Sequence, residues 1–178
     1  MELRETFDAA AALYHGARPG YPDELFDDLV TLSRIPDSGR ILEVGAGTGI
    51  ATLPLARRGF RVLALEPGPA LAAEARRNLD AFPAVEVIEE TLEAWPVEPA
   101  AFELALAATS WHWVEQPRGY EQLGRALTPG GAFAMFRHEH AGTPADRGFF
   151  LATQPVYLEH APSIWRDEPM PEADRPDF

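Results

Sequence analysis

Ile41-Leu42-Glu43-Val44-Gly45-Ala46-Gly47-Thr48-Gly49 is the stretch on which the fold turns. An apolar run of strand character leads into three glycines at alternate positions, and a helical segment follows. Glycines in such a loop let the backbone turn sharply and let a ligand come closer than any Cβ would allow, beside the free amides of a helix N-terminus. The loop therefore suits a polar ligand. A dinucleotide fold would show G-x-G-x-x-G, but the position where that pattern needs its third glycine is Ile50. Glu43, two places before the first glycine, suits a cationic ligand group better than a pyrophosphate, because like charges at close range cost affinity.

Outward from the loop, short apolar runs alternate with helical segments. Residues 40–44, 62–65, 85–88, 102–107 and 131–136 read as strands, with helices expected near residues 50–58, 69–79 and 117–127. Such alternation requires right-handed crossovers and a sheet covered on both faces, which is a doubly wound, mostly parallel α/β fold. Upstream, Leu3, Phe7, Ala11 and Tyr14 recur at helical spacing. Pro22 opens a second helix, with Asp23 and Glu24 near the positive end of its dipole and Leu25, Phe26, Leu29 and Val30 on its apolar face. The turn letters mark the other boundaries: Arg57-Arg58-Gly59, Gly68-Pro69, and Thr128-Pro129-Gly130-Gly131 turning into the last strand. Arg57, Arg58, Arg76 and Arg77 read as cations at helix ends.

From Ala141 the composition changes, since the last 38 residues hold six of the 17 prolines. Phe149, Phe150, Thr153 and Tyr157 fit one side of a helix within 147–160, with a kink or stop at Pro155, and RDEPMPEADRPDF reads as an extended acidic tail. The expected organisation is a core over 1–140, with a helical lid over 1–36, followed by a C-terminal helix and Pro-rich tail over 141–178.

The chain has 178 residues, enough for one domain with a real core. Its 15 basic and 28 acidic residues give a formal charge of −13, which repels polyanions, so neither nucleic acid nor an anionic membrane is expected as a partner. Every basic residue is Arg, and Cys is absent. A lysine Schiff base, a thiolate nucleophile, a disulfide framework and a Cys-ligated metal are therefore excluded. The N-terminal MELRETFDAAAALYHG is acidic where a signal peptide is positive, and no window reaches the ~20 apolar residues of a membrane helix, so the expected location is cytoplasmic.

Val62-Leu63-Ala64-Leu65 ends in Glu66, 23 residues beyond Glu43. An acid at the tip of the second strand, about 20 residues past a glycine loop, can accept both ribose hydroxyls of an adenosine. With EVGAGTG and LALEP in place, VEVIEETLEAWP, FELALAATSWHWVE and YEQLGRALTPGGAFAMF follow in order. This series, from about Tyr14 to Arg137, resembles the class I S-adenosylmethionine-dependent methyltransferases, in the small-molecule branch often called methyltransferase type 11.

The resemblance implies a Rossmann-like core, S-adenosylmethionine as cofactor with S-adenosylhomocysteine as product, and a small-molecule methyl acceptor, in a monomer or homodimer. It implies that Glu43, Gly45, Ala46 and Gly47 surround the methionyl part of the cofactor, that Glu66 binds the ribose and that Pro67 lies against the adenine. Thr91 stands where the family usually has Asp, followed by Leu92, whose backbone amide would meet the adenine. Ala107 and Ala108 would offer carbonyls near the methionyl amino group, and the segment YHGARPGYP makes Tyr14 and Arg18 lid contacts. A methyl group on a sulfonium is already an activated electrophile, so in-line displacement needs no covalent nucleophile, and the missing Lys and Cys are no obstacle.

His112, within Ser110-Trp111-His112-Trp113, falls just past the fourth strand at the carboxyl end of the sheet. It is the candidate general base; alternatively it and its Trp neighbours wall the pocket or pack the next helix. The Asn/Asp-Pro-Pro-aromatic motif of amino-directed nucleic-acid methyltransferases is missing at this place. His138-Glu139-His140 puts two imidazoles on one side of an extended segment, but with no Cys and no obvious third ligand no metal is expected. Glu89, Glu90 and Glu93 read as a solvated acidic run or as an attractor for a cationic acceptor.

For the glycine loop, S-adenosylmethionine, a nicotinamide or other nucleotide, and a purely structural turn are the readings to separate. For the chain, an active methyltransferase stands against a cofactor-binding but catalytically incomplete domain. Full class I domains close with an antiparallel hairpin beside the fifth strand, and nothing after His140 reads as two further strands. The expectation is a truncated C-terminal end with an open edge at the fifth strand, unless residues 149–158 or another subunit cover it.

Overall fold

The computed structural model describes residues 19–138, together with Pro155 and Glu159. The chain divides into two units, Met1–Arg137 and His138–Phe178. In the second, Pro155 and Glu159 are helical, and both fall within the expected 147–160 helix. The rest of that helix, the acidic tail, the first expected helix, Tyr14, Arg18 and His140 lie outside the described residues.

The first unit alternates helices and strands: α1 (Asp23–Ser33), β1 (Arg40–Val44), α2 (Thr52–Arg57), β2 (Arg61–Leu65), α3 (Pro69–Asn78), β3 (Val85–Ile88), β4 (Phe102–Ala108), a 3₁₀ turn (Trp111–Trp113), α4 (Arg118–Ala126) and β5 (Leu127–Phe136). The strands form one sheet in the order β3-β2-β1-β4-β5, and each neighbouring pair is parallel. The expected doubly wound fold is present. β1 lies in the middle, with Ile41 opposite both Val62 and Leu104. A central strand covered on both faces should be apolar almost throughout, and residues 41–44 of β1 are all buried, with Glu43 the one polar member.

Side chains alternate between the two faces and make two cores. Phe26 and Leu29 of α1 join Ile41, Leu55, Val62 and Leu104 on one side. Leu42, Leu63, Phe102, Trp95, Trp111 and Leu123 fill the other. Complete burial of a Phe such as Phe26 or Phe102 contributes about 1.5–3 kcal/mol, so these aromatic anchors bind helices to sheet.

Two local expectations change. β5 begins at Leu127, not at residue 131: Leu127 pairs with Phe102 and Ala132 with Leu104, which leaves residues 128–131 bulged opposite Glu103. Thr128-Pro129-Gly130-Gly131 does turn, with Gly130 at φ 84°, but inside the strand, because Ala100 and Ala101 amides already bond to Arg125 and Ala126 carbonyls at 2.8 and 2.9 Å. Arg58 does more than end α2. Its guanidinium reaches Asp27 at 2.7 Å and Asp23 at 3.4 Å and lies over the Phe26 ring, tying α1 to α2. Among the described residues no helix is long and apolar enough to cross a membrane.

Successive strands β1, β2 and β3 run to one side of the sheet, while β4 and β5 lie on the other. The direction reverses between β1 and β4, and at such a reversal the loops leaving the two carboxyl ends diverge and open a crevice.

Candidate active site

The loop after β1 turns back across the sheet and is pinned there, because the amides of Gly45 and Ala46 both donate to the Leu65 carbonyl at the end of β2, at 2.8 and 3.0 Å. Gly45 has φ +70°, and a Cβ there would sit 2.5 Å from the Cβ of Ser110. The Ser110 hydroxyl donates to the Val44 carbonyl, so the β1 and β4 ends are bolted together where the loop begins. Gly47 is different: at φ +58°, a Cβ would meet nothing within 4 Å. Glycine is required there for its backbone conformation, and its exposed face leaves room for a ligand.

Glu66, only 6% exposed, bridges the glycine loop and the start of α3. Its Oε2 accepts the Gly47 amide at 2.7 Å and its Oε1 accepts the Gly68 amide at 2.8 Å. Bonds from amides to a carboxylate are among the stronger polar contacts, and these two fix the acid at the tip of β2 against the loop. Glu43 is 1% exposed, and its Oε2 accepts the Thr52 hydroxyl at 2.7 Å. Burial pushes the Glu43 carboxyl up to about 7; the Thr52 hydroxyl opposes this, and the charge of Glu66 adds to it.

These groups border a cavity of about 720 Å³, within the range of small-molecule sites. Glu43, Gly45, Ala46, Gly47, Glu66 and Pro67 line it from β1 and β2. Thr91 and Leu92 line it beyond β3. Thr91 is held by its own turn: its amide donates to Glu90 at 2.9 Å and its hydroxyl accepts the Ala94 amide at 3.2 Å. His112 lines the cavity from the 3₁₀ turn, with its exposed ring tilted against Trp113 at 4.6 Å between centroids. Ala107 is fully buried, pairs with Met135 and does not line the cavity; the neighbouring Ala108 does. Tyr14 and Arg18 lie outside the described residues.

The SWHW block divides by burial. Trp111 is buried against Tyr120 and Phe133, with its Nε1 donating to the Tyr120 hydroxyl at 3.3 Å. Trp113 is 47% exposed and lines the cavity beside His112. The acidic run divides too: Glu89 faces Arg76 across 4.0 Å, whereas Glu90 and Glu93 line the cavity. Glu93 is positioned by the Glu115 amide, which donates to it at 2.7 Å, and Glu115 also lines the cavity.

Several lining or supporting residues carried no sequence signal of their own. Tyr21 shares a hydrogen bond with Thr109 at 2.9 Å and sits edge-on to Phe136 at 4.9 Å, which brings the start of α1 to the cavity. It lies in YHGARPGYP, but nothing in that string singles it out over Tyr14. Thr52 reaches Glu43 only because the loop folds α2 back onto β1.

Comparison with known proteins gives a consistent result. A methyltransferase-domain family model matches residues 41–131, about half of the chain and the whole run from β1 into β5. An uncharacterized methyltransferase of Mycobacterium bovis is 33% identical over 134 residues, which cover 75% of this chain and 52% of that protein. A malonyl-[acyl-carrier protein] O-methyltransferase of Halorhodospira halophila is 32% identical over 158 residues, 82% of this chain and 53% of the relative. The chain thus spans about half the length of the curated relatives it matches. The solved structure of a protein assigned as a type II methyltransferase from Anaeromyxobacter dehalogenans superposes with a TM-score of 0.68 at 29% identity, covering 85% of this chain and 61% of that one. By its sheet order, its glycine loop and this family match, the chain belongs to the class I S-adenosylmethionine-dependent methyltransferases.

Proposed function

We propose that the cavity binds S-adenosylmethionine and that the chain takes part in moving its methyl group to a small-molecule acceptor. The observation that carries this reading is the 2.7 Å contact between Gly47 and Glu66 in the wall of one cavity. It joins the two spacings that define the site, the glycine loop and the acid at the second strand tip, at the switch point of the sheet.

The residues fit that cofactor. Gly47 offers an uncovered backbone, Glu66 offers carboxylate oxygens suited to ribose hydroxyls, and Glu43 offers a buried carboxyl suited to a cationic methionyl group. When bound, the cofactor supplies an activated methyl electrophile. The chain's own work is to hold an acceptor in line with it and to keep water away. In this reading His112 and Trp113, which also line the cavity, form the acceptor wall, and His112 takes a proton from a hydroxyl or amine acceptor. Among the described residues the cavity is lined by the acidic side chains Glu43, Glu66, Glu90, Glu93 and Glu115, with no Arg. An anionic acceptor is therefore disfavoured, and with a charge of −13 overall so is nucleic acid.

Calorimetric titration with S-adenosylmethionine and with NADH tests the reading. Binding of the first and not the second is expected; the reverse would overturn it. Release of S-adenosylhomocysteine across a panel of small acceptors separates a working enzyme from a domain that binds without turnover.

A further inference from the structure

Glu43 is a buried carboxyl in the central strand: the Thr52 hydroxyl holds its Oε2, and the residue lines the cavity. Its neighbours in the flanking strands, Ala64 and Leu106, bring no charge. Glu66 at the tip of β2 faces it as a second carboxylate, already committed to two loop amides. The remaining titratable groups of the cavity are Tyr21, Glu90, Glu93, Glu115 and His112, and no Arg lines it among the described residues. A charge on Glu43 therefore has the Thr52 hydroxyl but no Arg of the described wall to offset it.

We propose that the Glu43–Thr52 pair couples cofactor binding to proton release: a cationic group entering the cavity drives Glu43 from its neutral acid to its carboxylate, the proton leaves to solvent, and Thr52, a positioning residue, sets the pH at which this happens. The inference rests on the cavity being the cofactor site. The direction agrees with the raised Glu43 carboxyl, which burial lifts to about 7 and the Thr52 hydroxyl lowers. Below that pH the free protein carries the proton and the complex does not, so affinity rises with pH up to about 7 and then levels off. Without Thr52 the midpoint moves upward.

Calorimetry of the full chain with S-adenosylmethionine, between about pH 6 and pH 8 in paired buffers of different ionisation enthalpy, reads the proton directly. The wild type is expected to lose affinity by up to about tenfold per pH unit below the midpoint, with up to one proton released per ligand. Glu43→Gln should lose that slope and keep only the proton belonging to the ligand's own amine, whose pKa is about 8. Thr52→Val should move the midpoint up and Thr52→Ser should restore it; if Thr52→Val does not fold, Thr52→Ala serves with the same expectation. Equal slopes and proton counts in wild type and Glu43→Gln would overturn the coupling, and an unmoved midpoint in Thr52→Val would overturn the role of Thr52. Absence of binding by folded wild type at every pH would instead overturn the cofactor reading beneath both.

Discussion

On the wall built from the ends of β1 and β2, the groups that would meet a ligand are backbone amides and carboxylates already bonded to one another: Gly47 and Gly68 to Glu66, Thr52 to Glu43. On the wall formed by residues 109–115, His112 and Trp113 line the cavity as exposed side chains, while Ser110 bonds the end of β1 and Trp111 packs against Tyr120 and Phe133. The first wall is preorganised around a fixed ligand type, since its hydrogen bonds set the geometry before anything binds. The second can change at His112 and Trp113 with less disturbance to the sheet, because both side chains are exposed. A fold that holds one cofactor and varies its acceptor would divide its cavity in this way.

The largest expected effect lies on the first wall. Glu43 titrates near 7 in the fold against 4.5 as its ordinary value, so its neutral form is favoured by folding. That contribution is full below about pH 4.5 and is lost as pH rises through about 7, a span of about 3 kcal/mol. Glu43→Gln is expected to remove this pH dependence and to stabilise the ligand-free protein by up to about 3 kcal/mol at pH 8, read by denaturant unfolding. A variant no more stable than wild type would show that Glu43 is not held at a cost to the fold.

Next is the second wall. His112→Gln should lower turnover by about a hundredfold, the usual scale for loss of a general base, and leave S-adenosylmethionine affinity unaltered in the same preparation. An unchanged rate would leave His112 as a wall residue, whereas a weakened cofactor would erase the distinction between the two walls.

Glu66→Ala should act the opposite way, weakening the cofactor by about thirtyfold through loss of charged hydrogen bonds, with the unfolding midpoint also lowered because the Gly47 and Gly68 amides lose their acceptor. Unchanged affinity would dismiss the ribose assignment. The smallest effect should come from Gly45→Ala. The new methyl would meet Ser110 at 2.5 Å in a left-handed conformation, costing about 1–2 kcal/mol in stability, read by thermal unfolding. A neutral outcome would mean that the junction of β1 and β4 yields more easily than its hydrogen bonds suggest.

How much of this was legible in the letters differs between the two walls for the same physical reason. Glu43, Gly45, Gly47 and Glu66 are readable because a parallel sheet fixes where strand ends fall, and a glycine loop announces a backbone that L side chains avoid. Residues 110–113 are readable as a place but not as four roles: only packing against Tyr120 and Phe133 sends Trp111 inward and leaves Trp113 outside. Tyr21 meets the site through contacts such as its hydrogen bond to Thr109, 88 residues away, and its edge-on packing on Phe136, separations that no local pattern encodes.

The sequence by itself determined the strand and helix order of the described residues, the chemistry excluded by the missing Lys and Cys, and the positions of the glycine loop and its two acids. These follow from hydrophobic period, from residue inventory and from glycine's backbone freedom, all local properties. Tertiary structure alone decided that the Thr128–Gly131 turn is a bulge within β5, that Ala108 and not Ala107 lines the cavity, and that Thr52 holds Glu43. Each depends on register or on a long-range contact, and burial by the whole fold, not any neighbour in sequence, is what raises the Glu43 carboxyl toward neutrality.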